Sequence, residues 1–223
     1  MIFSIDPLKY RVIDLSYEVI PCASTDRPFD VAVARLADDT FRYDVLRTHT
    51  HVGTHVEVPW HFFREGQTLS DCPLDTFYGR ALLLSCRRGP DFPPSRHSTF
   101  SRSWAPSFGR ATSSSPATIP AHLTKGDISK GNRADAPHFT PEAAEWLREH
   151  RIKLLGIDFI RLGIDVPAGR RFHEILMGQG VPFVEIMDNL QSITKSEFFF
   201  MALPFRVRGI DSGWVRAVAI EER

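Results

Sequence analysis

The chain has 223 residues, of which 43% are hydrophobic and 24% charged, enough to bury a substantial core as one soluble domain and unlike a fibrous or disordered polymer. Lys plus Arg equals Asp plus Glu at 27 each, so there is no basic field to hold nucleic acid or an anionic membrane, and the expected partner is a small molecule or another copy of the chain. No run reaches the 18 or so apolar residues of a membrane span, and the first residues lack a basic start followed by an apolar stretch, so the expected setting is cytoplasmic.

In chain order, Arg11 to Val19 reads as a strand and Phe41 to Val58 as one or two more, because β-branched and aromatic residues interleave with polar ones. Arg80 to Cys86 contains the unbroken apolar run Ala81 to Leu84, which suits a strand buried on both faces. From about 87 to 135 the composition changes: nine serines, six arginines and six prolines stand among 49 residues, with Ile119, Leu123 and Ile128 the only branched aliphatics. Such a stretch buries little surface, and no apolar strand is expected in it. Thr140 to His150 reads as a helix, with Thr140 as N-cap, Pro141 at the first helical position and Glu142 at the positive helix end. A short strand from Ile152 to Asp158 follows, then a helical turn or two over Phe172 to Met177. Strands at Val181 to Met187, Glu197 to Leu203 and Trp214 to Ile220 close the chain. The cysteines, Cys22, Cys72 and Cys86, are odd in number, far apart and without a C-x-x-C pair, and read as free thiols.

The segment His51-Val-Gly-Thr-His55-Val-Glu57-Val-Pro-Trp-His61 carries the chemistry. His51, His55, Glu57 and His61 share one parity, so on an extended strand all four face one side. Imidazole nitrogens and carboxylate oxygens are the ordinary ligands of zinc and similar ions. A straight strand would separate His51 from His61 by roughly 33 Å, so the chain must bend, and Gly53 and Pro59 sit where bends are permitted. Val52, Val56 and Val58 supply an apolar back face. His49 shares the parity as well, and parity alone does not exclude it.

This segment resembles the H-x-G-T-H-x-D-x-P-x-H signature of the cyclase family of metal-dependent hydrolases, which includes bacterial kynurenine formamidase and isatin hydrolase. Glu57 stands where the family usually has Asp. Ile13-Asp-Leu-Ser16, Phe62 to Gly66, the span from Phe172-His-Glu-Ile-Leu to Val184-Glu-Ile-Met-Asp-Asn-Leu190, Leu203-Pro-Phe and Arg216-Ala-Val-Ala extend the similarity over about residues 10–86 and 138–220. The resemblance implies that His51, His55 and Glu57 bind metal, that His173 and Glu185 complete a one-metal or two-metal site, and that His61 is the catalytic acid/base. It implies Zn2+ or Mn2+ as cofactor, with one or two ions per subunit, a small-molecule substrate, and a homodimer or homotetramer. It also implies an α+β fold, the swivelling β/β/α arrangement, as a single domain over 1–223 with a barrel-like mixed sheet and a few flanking helices.

The implied activity is hydrolysis of a C–N bond in an amide, formamide or lactam of a small cyclic or aryl compound, with the metal activating water and His61 moving a proton to the departing nitrogen. Two rivals stand beside it: a metal-dependent cyclase or dehydratase acting on a carbonyl metabolite, and a metal-binding protein without turnover. The pattern departs from the family at Gly126-Asp127-Ile128, where Ser-Lys-Gly-Asn replaces the usual apolar strand; either a surface insertion or a reading-frame slip across roughly 87–130 accounts for it, and translating the DNA in its other frames separates the two. Trp60 reads equally as a pocket wall or as core, and Asp158 and Asp165 as flanking a substrate-side loop. His97, His122, His138 and His150 read as surface residues, and Glu174 as pointing away from its neighbour His173.

Overall fold

A computed structural model of the chain describes residues 6–23, 27–87, 107–112, 139, 141–158 and 166–223. Among these residues the elements run β1 (Tyr10–Asp14), β2 (Phe29–Arg35), β3 (Phe41–Thr48), β4 (His55–Glu57), β5 (Tyr78–Arg87), β6 (Ser107–Thr112), α1 (Pro141–Glu149), β7 (Leu155–Ile157), α2 (Val166–Met177), β8 (Phe183–Glu185), β9 (Glu197–Pro204) and β10 (Ser212–Glu222).

Eight strands form one mixed sheet in the order β1-β10-β4-β8-β7-β6-β5-β9, and β9 pairs again with β10, so the sheet returns on itself. The closure depends on the length of β10. Its first residues pair with β4, Ser212 opposite Glu57 and Trp214 opposite His55, while Val215 to Ile220 pair with β9 on the other edge. Pairs β5–β6, β6–β7 and β7–β8 are parallel and the rest antiparallel. The α+β fold with a barrel-like mixed sheet and flanking helices is as the sequence predicts.

The strands explain the two core layers. In β10, Val215, Ala217 and Ala219 point into the barrel, where small side chains leave room for Phe198 and Phe200 from β9 and for Val56, Val58 and Val184. The opposite faces of β7 and β8 meet the two helices through Leu155, Ile157 and Phe183, packed on Ala143, Leu147, Phe172, Ile175 and Leu176. In α2 the residues Phe172, Ile175 and Leu176 form the i, i+3, i+4 stripe of a helix lying on a sheet.

Several boundaries differ from those the sequence predicts. The strand expected over Arg11 to Val19 ends at Asp14, leaving only an isolated bridge from Ser16 to Met187. The helix expected over Phe172 to Met177 begins earlier, at Val166. β2, for which no strand was expected, pairs with β3 in a separate two-stranded sheet. One strand falls within the segment from 87 to 135, where the sequence supports no simple element assignment. Ser107–Thr112 lies between β5 and β7, paired in parallel with both. A strand flanked on both edges draws its hydrogen bonds from its neighbours' main chains, so pairing overrides a composition poor in β-formers. Residues 88–106 and 113–135 of that segment lie outside the described residues.

Candidate metal centre

Three local devices place the histidine segment. At Gly53 the backbone is left-handed (φ 63°), and a Cβ there would stand 2.4 Å from Val19 Cγ2, so only glycine fits the reversal between His51 and His55. β4 then carries His55 and Glu57 on one face. Pro59–His61 curls into a short 3-10 turn, with Phe62 N–H donating to the Pro59 carbonyl. Both expected bends are present, and Val52, Val56 and Val58 are buried on the back face.

The β4–β8 register sets His55 opposite Glu185 and Glu57 opposite Phe183, on the face that α2 covers. Glu57 lies at the centre. Its Oε1 is 2.6 Å from His51 Nδ1 and 3.4 Å from His55 Nε2, and its Oε2 is 3.9 Å from His173 Nε2. Glu185 Oε2 is 3.9 Å from His55 Nε2. The two distant stretches thus converge: the ring of His173 stacks on Phe62 at 4.3 Å and lies 6.5 Å from the ring of His61.

Two of the imidazoles have their tautomers set by the main chain. His55 Nδ1–H donates to the Gly53 carbonyl at 2.9 Å, and His173 Nδ1–H donates to the Gly169 carbonyl one helical turn back at 2.6 Å. A carbonyl only accepts, so in each neutral ring Nε2 is left as a lone pair aimed at carboxylate oxygen. Glu57 Oε2 is buried and has no hydrogen-bond partner among the described residues. Lone pairs facing lone pairs across 3.4–3.9 Å repel unless a cation stands between them. Two ligands about 2.1 Å from a tetrahedral ion lie about 3.4 Å apart, so the contacts of Glu57 with His55 and His173 and of Glu185 with His55 fit a divalent metal, while His51 at 2.6 Å is hydrogen-bonded to Glu57. His51, His55 and Glu57 form one group of suitable ligand atoms, and Glu57, His173 and Glu185 form another.

The electrostatics agree. Burial and the nearby Glu57 charge push the Glu185 carboxyl well above the usual carboxylate range, with Arg27 opposing. Burial would also raise Glu57, but hydrogen bonds and charge from His51 and His55 outweigh it and hold that group well below its ordinary value. Burial alone lowers His51, yet Glu57 and Asp211 raise it overall, whereas His173 is held low chiefly by burial. Two buried carboxylates side by side, one unable to ionise without a partner, are what a bound cation resolves.

His61 stands at the rim, its side chain 30% exposed, with Nδ1 2.7 Å from Asp211 Oδ2. Asp211, which also lies 3.4 Å from His51 Nε2, is the site residue that sequence reasoning misses. Its only signal is its place just before the last strand. Its carboxyl is held low because His61 and His51 outweigh the effect of burial. His49 stays outside these groups, its Nδ1 accepting from His51 N–H at 3.2 Å. Trp60 packs against the barrel core, its indole N–H donating to the Arg64 carbonyl. Glu174 pairs with Arg170, away from the centre, and His150 is exposed at the end of α1. Asp158 follows β7, while His97, His122, His138 and Asp165 lie outside the described residues.

The model of the family described as "Putative cyclase" matches residues 13–163. A kynurenine formamidase of Salinibacter ruber (strain DSM 13855 / M31) is 27% identical over 219 residues, covering 93% of this chain and 96% of that one. Isatin hydrolase A from Ralstonia solanacearum superposes with a TM-score of 0.71 at 17% identity, over 95% of this chain and 92% of that one. Isatin hydrolase A from Labrenzia aggregata, bound to benzyl benzoate, gives 0.67 at 18% identity, over 96% and 94%. These two likenesses show a shared fold.

Proposed function

Because the chain belongs to the cyclase family, we propose that residues 1–223 form one metal-dependent hydrolase domain that cleaves the C–N bond of a small cyclic or aryl amide, formamide or lactam. The observation that carries this reading is the buried Glu57 carboxylate, faced by three imidazoles and a second carboxylate, with one oxygen left without a hydrogen bond. Relatives named as a formamidase and as isatin hydrolases support the reaction class.

His51, His55 and Glu57 would hold one ion, and Glu57, His173 and Glu185 the second where two are bound. A zinc or manganese ion held there would supply Lewis acidity toward a carbonyl and toward water. The protein's own groups do the rest. The backbone acceptors of Gly53 and Gly169 keep His55 and His173 turned toward the centre, and the valine back face excludes water from behind. His61, half-exposed beside the ligands, is placed to hand a proton to the departing nitrogen.

The proposal extends to assembly and setting. The β2–β3 hairpin projects exposed Val33, Phe41, Tyr43 and Val45, a surface that a second copy in a homodimer or homotetramer would cover. The proposed setting is cytoplasmic, where the thiols of Cys22 and Cys72, neither of them in a disulfide, would stay reduced.

The test is metal analysis of the purified chain followed by a panel of N-formyl aryl amines and lactams. Bound zinc or manganese with turnover on at least one amide is expected, and His61→Ala should lower kcat roughly 100- to 10,000-fold with metal content unchanged. Stoichiometric metal without hydrolysis of any panel member would favour the non-catalytic rival. Dehydration of a carbonyl substrate in place of hydrolysis would favour the cyclase one.

A further inference from the structure

We propose that Asp211 is the positioning residue of the acid/base: it locks His61 in the tautomer whose Nε2 carries the working lone pair. This rests on the hydrolase reading only for what His61 then does; the tautomer itself is a property of the fold.

The main chain of Asp211 is pinned from both sides. Val58 N–H donates to the Asp211 carbonyl at 2.9 Å, and Leu69 N–H donates to the Ile210 carbonyl at 3.0 Å. The next residue, Ser212, is the β10 partner of Glu57, so the register that seats the central carboxylate also seats Asp211 beside His61. The carboxylate accepts a 2.7 Å hydrogen bond from His61 Nδ1 through Oδ2 and a weaker one from Ser212 Oγ through Oδ1 at 3.4 Å. A carboxylate has no proton to give, so Nδ1 must carry the hydrogen and Nε2 the lone pair. The ring is further held edge-on against Phe62 at 5.1 Å and near His51 at 4.8 Å.

His51, His61 and Asp211 also have the spacing of a cation group. What separates the two uses is hydrogen-bond satisfaction: both oxygens of the part-exposed Asp211 carboxylate have hydrogen-bond partners, whereas buried Glu57 Oε2 has none among the described residues, and zinc retention by Asp211→Ala tests the difference. In the reaction, Nε2 takes a proton from the attacking water as the C–O bond forms and returns it to the nitrogen as the C–N bond breaks. Asp211 keeps its charge throughout and exchanges no proton, the role of the orienting acid in other histidine pairs.

The experiment uses the full-length, 15N-histidine-labelled chain loaded with zinc. Long-range 1H–15N spectra should show His61 protonated at Nδ1 in the wild type and shifted toward the Nε2–H tautomer in Asp211→Ala. On whichever amide the wild type hydrolyses, kcat should fall roughly 100-fold or more, KM and zinc affinity should stay within about threefold, and adding Asp211→Ala to His61→Ala should cost nothing further. Asp211→Asn, which keeps the shape and one acceptor, guards against misfolding and should lie between the two. An unchanged His61 tautomer in Asp211→Ala, or loss of a bound zinc equivalent from it, overturns the proposal. If the wild type hydrolyses no amide, the hydrolase reading fails on its own and the tautomer shift still decides the role of Asp211.

Discussion

Glu185 is aimed by a strained neighbour. Ile186, a β-branched residue, sits at φ 55°, a conformation that costs on the order of 1–3 kcal/mol and persists only where surrounding contacts impose it. The contact is Thr54, buried behind the metal segment, whose hydroxyl donates to the Ile186 carbonyl at 2.6 Å and accepts from Tyr17 N–H at 2.8 Å. Thr54→Val keeps the shape but removes one hydrogen bond from each of these main-chain groups, so a loss of roughly 2 kcal/mol is expected in urea unfolding, together with weaker zinc binding at the proposed site as Glu185 loses its aim. Thr54→Ser should recover most of both. A valine variant with wild-type stability and metal affinity would show that the hydroxyl holds nothing. The residue alphabet of the site was visible in the sequence, since His51, His55, Glu57 and His61 share a parity and Gly53 and Pro59 mark the bends. Asp211 was not visible, being one of 27 acids and 150 residues from the histidine it contacts.

At the scale of elements, the ends of the chain are tied by a buried carboxylate. Glu221 on β10 accepts hydrogen bonds from Arg11 of β1, from the Thr194 hydroxyl at 2.8 Å and from the Lys195 main chain at 3.1 Å. Burial would raise its pKa, but the Thr194 hydroxyl, the Lys195 N–H and Arg11 outweigh it and hold the group below the usual range. A carboxyl depressed in the folded state contributes stability above its unfolded value of about 4.3, and that contribution fades as pH falls through the folded value. Glu221→Gln should therefore be less stable than the wild type at pH 7, the gap narrowing below about pH 4 in urea titrations. A gap constant from pH 7 to pH 3 would contradict this. Element types were mostly legible: the Thr-Pro-Glu start of α1 and the apolar runs of β5 and β8 are local signals. β6 was illegible because its strand character comes from neighbours on both edges and not from its own side chains.

For the whole molecule, the decisive feature is that the sheet closes through β10 while the β2–β3 hairpin stays outside it. The hairpin exposes Phe41 and Tyr43 at 63% and 71%, more apolar surface than one copy covers. Light scattering should report a dimer or tetramer, and Phe41→Glu with Tyr43→Glu should shift it toward a single chain; a monomeric wild type at tens of micromolar would rule the assembly out. By itself the sequence determined the histidine segment, its bends and its apolar back, because each is fixed by residues within a few positions of one another. Tertiary structure alone decided that Glu57 stands between the two halves of the donor set, that α2 brings in His173, and that Asp211 meets His61. Those facts depend on which strands lie side by side, and strand pairing is settled by the closing of the whole sheet, which no local stretch encodes.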